Sequence, residues 1–313
     1  MKQIVPDYYE KFRCIAHECK HNCCIGWEID IDEDTFDYYN TVEGAMGERF
    51  RMCISDDGDS PHFCLSENER CPFLNEKNLC DIITTLGEDA LCDICADHPR
   101  FRNFFSDREE IGLGLCCESA GQLILSNEDN VRLISIFDDG ESESLTEEEK
   151  EILKLREEFF SVIETEDKSL NEKISLILSI GEAERKERSL SEWADIFLSM
   201  ERLDEKWTEV LLKLKNADEK ELKLPSEEMW DKVFSQLLHY FIYRQFSLSA
   251  EDSRVKERLL FAVDSCLFIR TLCMYHCAEC DKLTLSDVVE YSRMYSSEME
   301  YSEENVENYL SFC

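Results

Sequence analysis

The stretch Cys14-Ile15-Ala16-His17-Glu18-Cys19-Lys20-His21-Asn22-Cys23-Cys24 puts four thiols into eleven residues. Cys53, Cys64, Cys71, Cys80, Cys92, Cys95, Cys116 and Cys117 follow, so that twelve of the chain's seventeen cysteines lie between positions 14 and 117. Such a density describes either a disulfide-stapled extracellular scaffold or a thiolate site for a soft metal. The sequence opens Met1-Lys2-Gln3-Ile4-Val5-Pro6-Asp7 without an apolar leader, and no stretch reads as approaching a membrane span, so a reducing, cytoplasmic setting is expected. An odd thiol count and adjacent pairs such as Cys23-Cys24 suit metal ligation better than pairwise bridging. A chain segment organised this way folds around its ligands. Residues 1–137 are therefore expected to form a cysteine-rich, metal- or cluster-binding domain of short helices and irregular segments, with one brief strand where Ile29-Asp30-Ile31-Asp32 alternates.

The character of the chain changes at the acidic, turn-rich connector Asp138-Asp139-Gly140-Glu141-Ser142-Glu143-Ser144. Beyond it, Thr146 with Glu149 and Ser189 with Glu192 have capping-box spacing, each ahead of apolar residues at helical intervals: Ile152, Leu155, Phe159 and Val162, then Trp193, Ile196, Phe197 and Met200. Further amphipathic runs occupy Trp207 to Leu214, Met229 to Phe246, Val255 to Cys277 and Val288 to Met294. Residues 145–313 thus read as an α-helical domain and the whole protein as mainly α. No fixed-period repeat or strand–helix alternation points to a barrel or a doubly wound sheet.

A formal charge of −36 repels phosphate backbones and anionic membrane surfaces, which argues against both as partners. A basic partner or a lysine-bearing substrate is favoured; the simpler alternative is that the acidity serves solubility alone.

Five sequence pieces occur together: Phe12-x-Cys14-x4-Cys19-x3-Cys23-Cys24-x2-Trp27, Cys71-Pro72-Phe73-Leu74, Leu79-Cys80-x-Ile82, Cys95-x3-Pro99-Arg100 and Leu115-Cys116-x-Glu118-x-Ala120. In order and combination they resemble the flagellin lysine-N-methylase family of FliB type over roughly residues 8–125, with the helical remainder similar only in general character. The resemblance implies a bacterial cytoplasmic protein-lysine N-methyltransferase that acts on flagellin, takes its methyl group from S-adenosylmethionine and holds an iron–sulphur (4Fe-4S) cluster. By position it implies Cys14, Cys19, Cys23, Cys24, Cys71, Cys80, Cys95 and Cys116 as metal ligands. Four thiols satisfy one cubane or one structural zinc, so eight allow two sites or one site with supporting residues. His98, where an aromatic residue usually stands, is either an added ligand or a packed side chain, and Cys117 replaces a usual proline. Cys53, Cys64 and Cys92 have no place in the pattern and read as ordinary buried thiols.

Arg100 and Arg102 have the fork geometry to hold a carboxylate, including that of a methionine-derived cofactor, or else they pair with the protein's own acids. Trp27 is expected to pack over the cluster. Nothing selects a catalytic base, because Tyr8, Tyr9, Tyr38 and Tyr39 are equally eligible. The alternatives are a zinc- or iron-binding cysteine-cluster interaction module without catalysis, and an electron-transfer protein.

Cys273-x3-Cys277-x2-Cys280 has the thiol spacing of radical S-adenosylmethionine enzymes. In a continuous helix, however, these residues share one face and the outer two stand about 10 Å apart along the axis, too far for one cubane. A buried helical stripe is the expected outcome.

Overall fold

The computed structural model describes residues 1–313 except Asp59, Ser142, Lys220 and Glu221, so one residue of the acidic connector, Ser142, lies outside the described residues. The chain forms two compact units. Residues 13–100 make a cysteine unit, and residues 1–12 with 101–313 make a helical unit. The sequence-derived boundary at 137–145 falls inside the helical unit, because the residues before it are claimed by a sheet that belongs there.

Among the described residues there are six short strands: β1 (Lys2–Pro6), β2 (Ile54–Ser55), β3 (His62–Phe63), β4 (Arg100–Phe105), β5 (Arg108–Leu113) and β6 (Leu133–Asp138). Four of them form a sheet in the order β4-β5-β1-β6. β1 pairs in parallel with β5, with Lys2 opposite Arg108, and antiparallel with β6, with Val5 opposite Ile134. Local patterning cannot announce pairings between residues more than a hundred positions apart.

Helices supply most of the helical unit. Thr146, Ser169, Ser189 and Thr284 each close a capping box, accepting from the N3 amide while the N3 acid accepts from the cap, and so start Glu147–Ile163, Leu170–Ile180, Leu190–Leu198 and Leu285–Tyr295. The two caps expected at Thr146 and Ser189 are therefore present. The runs read from sequence after Trp207, Met229, Val255 and Val288 appear as Glu205–Lys215, Glu227–Arg244, Val255–Cys280 and Leu285–Tyr295. Glu118–Leu125, Leu170–Ile180, Ser249–Asp252 and Glu303–Phe312 are further helices of this unit that the sequence reading did not single out.

Val255–Cys280 is long and apolar enough to cross a membrane by length and composition, contrary to the expectation that no stretch would be; 67% of its most apolar window is buried in the protein. Leu259, Phe261, Val263, Cys266, Phe268, Ile269, Leu272 and Cys273 along it are fully buried, which makes it the central core helix of this unit. The helix runs unbroken through Cys273 and Cys277, both buried as the stripe reading expects, whereas Cys280 is exposed, against that reading, because it lies in the last turn.

Buried ion pairs join sheet to helices. Arg156 makes a two-pronged contact with Glu110 of β5, at 2.6 and 2.8 Å, and also donates to Ser247 Oγ at 2.7 Å. Both partners of this pair are shielded from solvent.

The cysteine unit has its own small core: Tyr39 stacks on Phe50 with centroids 3.9 Å apart, and Phe63 and Phe73 close around them. The strand expected at Ile29–Asp32 reduces to a single bridge between Asp30 and His62. The alternation there is real, since Ile29 and Ile31 are buried, but backbone pairing is confined to one position.

Candidate metal centre

Three local devices carry the thiols of the cysteine unit toward one another. The first is a backbone clasp: Cys71 N donates to Cys24 O at 2.8 Å, and Gly26 N donates to Glu69 O at 2.9 Å. Gly26 sits at a φ of +97°, a turn that other residues rarely adopt, and it lets the chain reverse between Cys24 and Trp27.

The second is the hairpin-like loop from Cys71 to Cys80. Asn75 Oδ1 accepts from the amides of Lys77 and Leu79 at 2.9 and 3.1 Å, and Asn75 Nδ2 donates to Asp81 Oδ1 at 2.8 Å. Arg49 binds Asp81 at 2.6 Å, donates to Pro72 O and lies over the Phe73 ring, which fixes both ends of the loop at once.

The third is Asp32. One of its oxygens accepts from Thr35 N and starts Glu33–Thr41; the other accepts from Asp93 N and starts Asp93–Asp97, the short helix bearing Cys95. Burial opposes ionisation of this carboxyl, yet the amide hydrogen bonds from Asp93 and Thr35 outweigh it and hold its pKa below the usual value.

These devices bring Cys23, Cys24, Cys71, Cys80, Cys92 and Cys95 into one electrostatic neighbourhood, with His98 at its edge. Cys23 accepts a hydrogen bond from the Cys24 thiol and another from His98, which pulls it down to about 4; Cys24, holding the shared proton beside Cys23, is shifted up. Cys92 and Cys95 form a second pair of the same kind, with Cys92 lowered and Cys95 raised. Burial pushes Cys71 to about 11 and raises Cys80 as well. Like-charged thiolates cannot accumulate here without a cation, so protons are shared pairwise instead.

Among the described residues, no three Cys, His, Asp or Glu side chains stand together as a ready metal-binding group. The donor chemistry nonetheless fits a thiophilic metal, with six gathered sulfurs and one imidazole, two of the sulfurs already biased toward thiolate. The positions shown are those of hydrogen-bonded thiol pairs.

Five of the eight residues implied by the family pattern, Cys23, Cys24, Cys71, Cys80 and Cys95, belong to this set. Cys14 is exposed and accepts weakly from Ala16 N, and Cys19 Sγ donates to His21 O at 3.1 Å, so both are held by contacts within their own loop. Cys116 belongs to the helical unit, where burial raises it to about 12 and Tyr301 hydrogen-bonds it. Cys92, read from sequence as an ordinary buried thiol, joins the set; the overlooked signal was Cys92-x2-Cys95, the spacing of a metal-binding or redox pair.

Arg100 Nη1 donates to the carbonyls of Ala96 and Asp97 at 3.1 and 3.3 Å, closing the Cys95 helix, while Arg102 pairs with Glu109 at 2.7 Å. Trp27 is 41% exposed, donates to Cys23 O at 2.6 Å and holds its ring 6.5 Å from that of His98. It flanks the thiols without enclosing them.

Residues 101–313 match the family model described as the FliB lysine N-methylase C-terminal domain. The chain is 28% identical over 142 residues to the lysine-N-methylase of Salmonella typhimurium (strain LT2), a match covering 42% of this chain and 35% of that protein. It is also 28% identical over 142 residues to the flagellar biosynthetic protein FliU of Salmonella muenchen, covering 42% of this chain and 84% of FliU. The lysine-N-methylase of Salmonella choleraesuis is 27% identical over the same length, with 35% of it covered. The chain thus spans about a third of the lysine-N-methylases it matches. No solved structure matches.

Proposed function

Because the chain belongs to the FliB lysine N-methylase family, we propose that it is a cytoplasmic protein-lysine N-methyltransferase acting on flagellin, with S-adenosylmethionine as methyl donor and a four-iron cluster in the cysteine unit. The observation that carries this reading is the family match over residues 101–313. The gathering of six thiols in the cysteine unit supports the cluster, and the names of the Salmonella relatives support a flagellar substrate.

Cys23, Cys24, Cys71, Cys80, Cys92 and Cys95 are the residues that would hold the cluster, four as ligands and the others as donors to its sulfurs. When bound, the cluster supplies a thiolate-ligated iron centre able to take up or release single electrons. The protein's own part is better defined. The Cys23–Cys24 and Cys92–Cys95 pairs release their shared protons on loading, His98 stabilises thiolate at Cys23, and Asp32, Asn75 and Arg49 keep the three thiol-bearing segments in place. Reaching a neutral lysine amine from its ammonium at neutral pH costs about 4 kcal/mol, so the amine-binding pocket must be less acidic than the surface.

The test is anaerobic purification followed by iron and sulfide analysis, then transfer of labelled methyl from S-adenosylmethionine to flagellin. Iron with matching sulfide and label on lysine support the reading. Zinc without sulfide and no label would replace it with the non-catalytic binding module.

A further inference from the structure

The four-stranded sheet ends in a strand that is paired on one side only, since β6 is last in the order β4-β5-β1-β6. Asp7 N donates to Arg132 O at 2.8 Å, which makes those residues a hydrogen-bonded pair. Alternation along the antiparallel ladder then turns the amide and carbonyl of Leu133 and Ser135 away from β1, toward the open edge. The register shift opposite Gln3 and Ile4 leaves Ile136 without a partner on β1. Edge strands are normally blunted by charge or proline. Here Ile134 and Ile136 are each 39% exposed and Phe137 is 52% exposed.

The flanks of this apolar edge are acidic. Glu128 and Asp129 precede it, Asp138, Asp139, Glu141 and Glu143 follow, and Arg132 is the single base between 128 and 143. Asp138 is paired with Lys2 and Asp139 with the terminal ammonium, which leaves an exposed acid pair at either end.

We infer that β6 is a docking rail for an extended, lysine-bearing segment of the protein substrate, which adds to the sheet as a fifth strand. This rests on the lysine-methylation reading. Main-chain groups of Leu133 and Ser135 take the incoming backbone, Ile134, Ile136 and Phe137 take its apolar side chains, and the flanking acids take its ammonium groups. A second copy of this chain fits worse. Antiparallel self-pairing about Ser135 aligns Arg132 with Asp138 but sets Asp129 against Glu141, like charges in register, and each copy brings a net charge of −36.

The experiment uses the full chain and a fluorescent twelve-residue peptide alternating valine and lysine, read by anisotropy. The control is the same peptide with alternate backbone amides N-methylated, which cannot pair as a strand. Ser135→Pro removes an outward amide and leaves the ladder to β1 intact, and Ile134→Lys with Ile136→Lys leaves the backbone alone but repels a basic strand. Binding of the unmodified peptide alone is expected, weakened about tenfold in either variant, a loss of about 1.4 kcal/mol. Amide exchange at 133–137 should slow on binding, and KM for a protein substrate should rise with kcat unchanged. Equal affinity for both peptides, equal affinity in wild type and variants, or a wild-type dimer that Ser135→Pro dissolves would overturn the docking rail. If the wild type methylates nothing, the enzyme reading fails while the binding data still judge the rail; methylation with an unchanged KM in both variants sinks the rail alone.

Discussion

The two units bury polar groups in opposite ways. In the helical unit the buried acids meet built-in partners: Glu110 meets Arg156, Asp264 meets Arg185, Arg188 and Tyr309, and Glu300 collects Tyr240, Ser296, Gln245 and Arg244. In the cysteine unit the gathered donors meet one another, thiol against thiol, and share protons between them. One set of charges is closed on itself; the other, on the proposed reading, would be completed by a cation from outside. The helical unit is therefore expected to stand on its own contacts, and the cysteine unit to draw much of its stability from what it binds.

The largest effect that would break this comparison is metal removal. Chelation of the loaded protein should unfold residues 13–100, seen through Trp27 emission, while the signal from Trp193, Trp207 and Trp230 persists; a metal-dependent loss of both would show that the units are not independent. The same comparison tests the ligand set, because Cys92→Ser should lose bound metal and Cys53→Ser should keep it, measured by elemental analysis.

Next in size is the buried ion pair. Arg156→Met should cost about 3–5 kcal/mol, because it strands Glu110 in the core, and adding Glu110→Leu should restore most of the loss. Urea denaturation of both variants decides it; a loss near 1 kcal/mol for the single change would mean that water reaches the pair.

A pH effect follows from His239, which stacks on Phe160 at 4.0 Å with no hydrogen-bond partner for Nε2 among the described residues. Burial, then the charges of Arg156 and Lys232, lower its pKa to about 3. The folded protein refuses a proton that the unfolded chain accepts below about pH 6.5. Stability contributed by neutral His239 is thus present above that pH and declines as pH falls toward 3, by about 1.4 kcal/mol per unit. Urea midpoints at pH 7.5, 6 and 5 should follow this slope, and His239→Asn should flatten it.

The smallest expected effect is at Asp32. Asp32→Ala removes two helix caps together and should cost the cysteine unit about 1–2 kcal/mol, with weaker metal retention at equilibrium. An unchanged metal affinity would show that the Cys95 helix needs no tether.

What was legible in the sequence was local. Thr146 with Glu149 and Ser189 with Glu192 announce their helices because capping is settled within four residues, and the apolar stripe around Cys273 and Cys277 predicts a buried helix for the same reason. The sheet was illegible because β1 finds its partners at residues 108–110 and 133–138, and nothing near Lys2–Pro6 encodes that choice. The thiol set was legible in outline, since five of its six members carry the family spacing. Cys92 was missed because burial and ligation leave the same mark on a lone sequence position. The acceptors that Arg100 uses were equally hidden, because Ala96 and Asp97 contribute carbonyls, which every residue has.

The order of residues in the sheet sets a timetable for synthesis. β1 leaves the ribosome before the cysteine unit, but its neighbours β5 and β6 come only after it. At typical elongation rates the hundred or so intervening residues take roughly 5–20 s. Throughout that interval the opening strand waits unpaired, while the thiol-bearing residues 13–100 are themselves being made and released. The sheet of one unit therefore cannot close until the whole of the other unit has been synthesised.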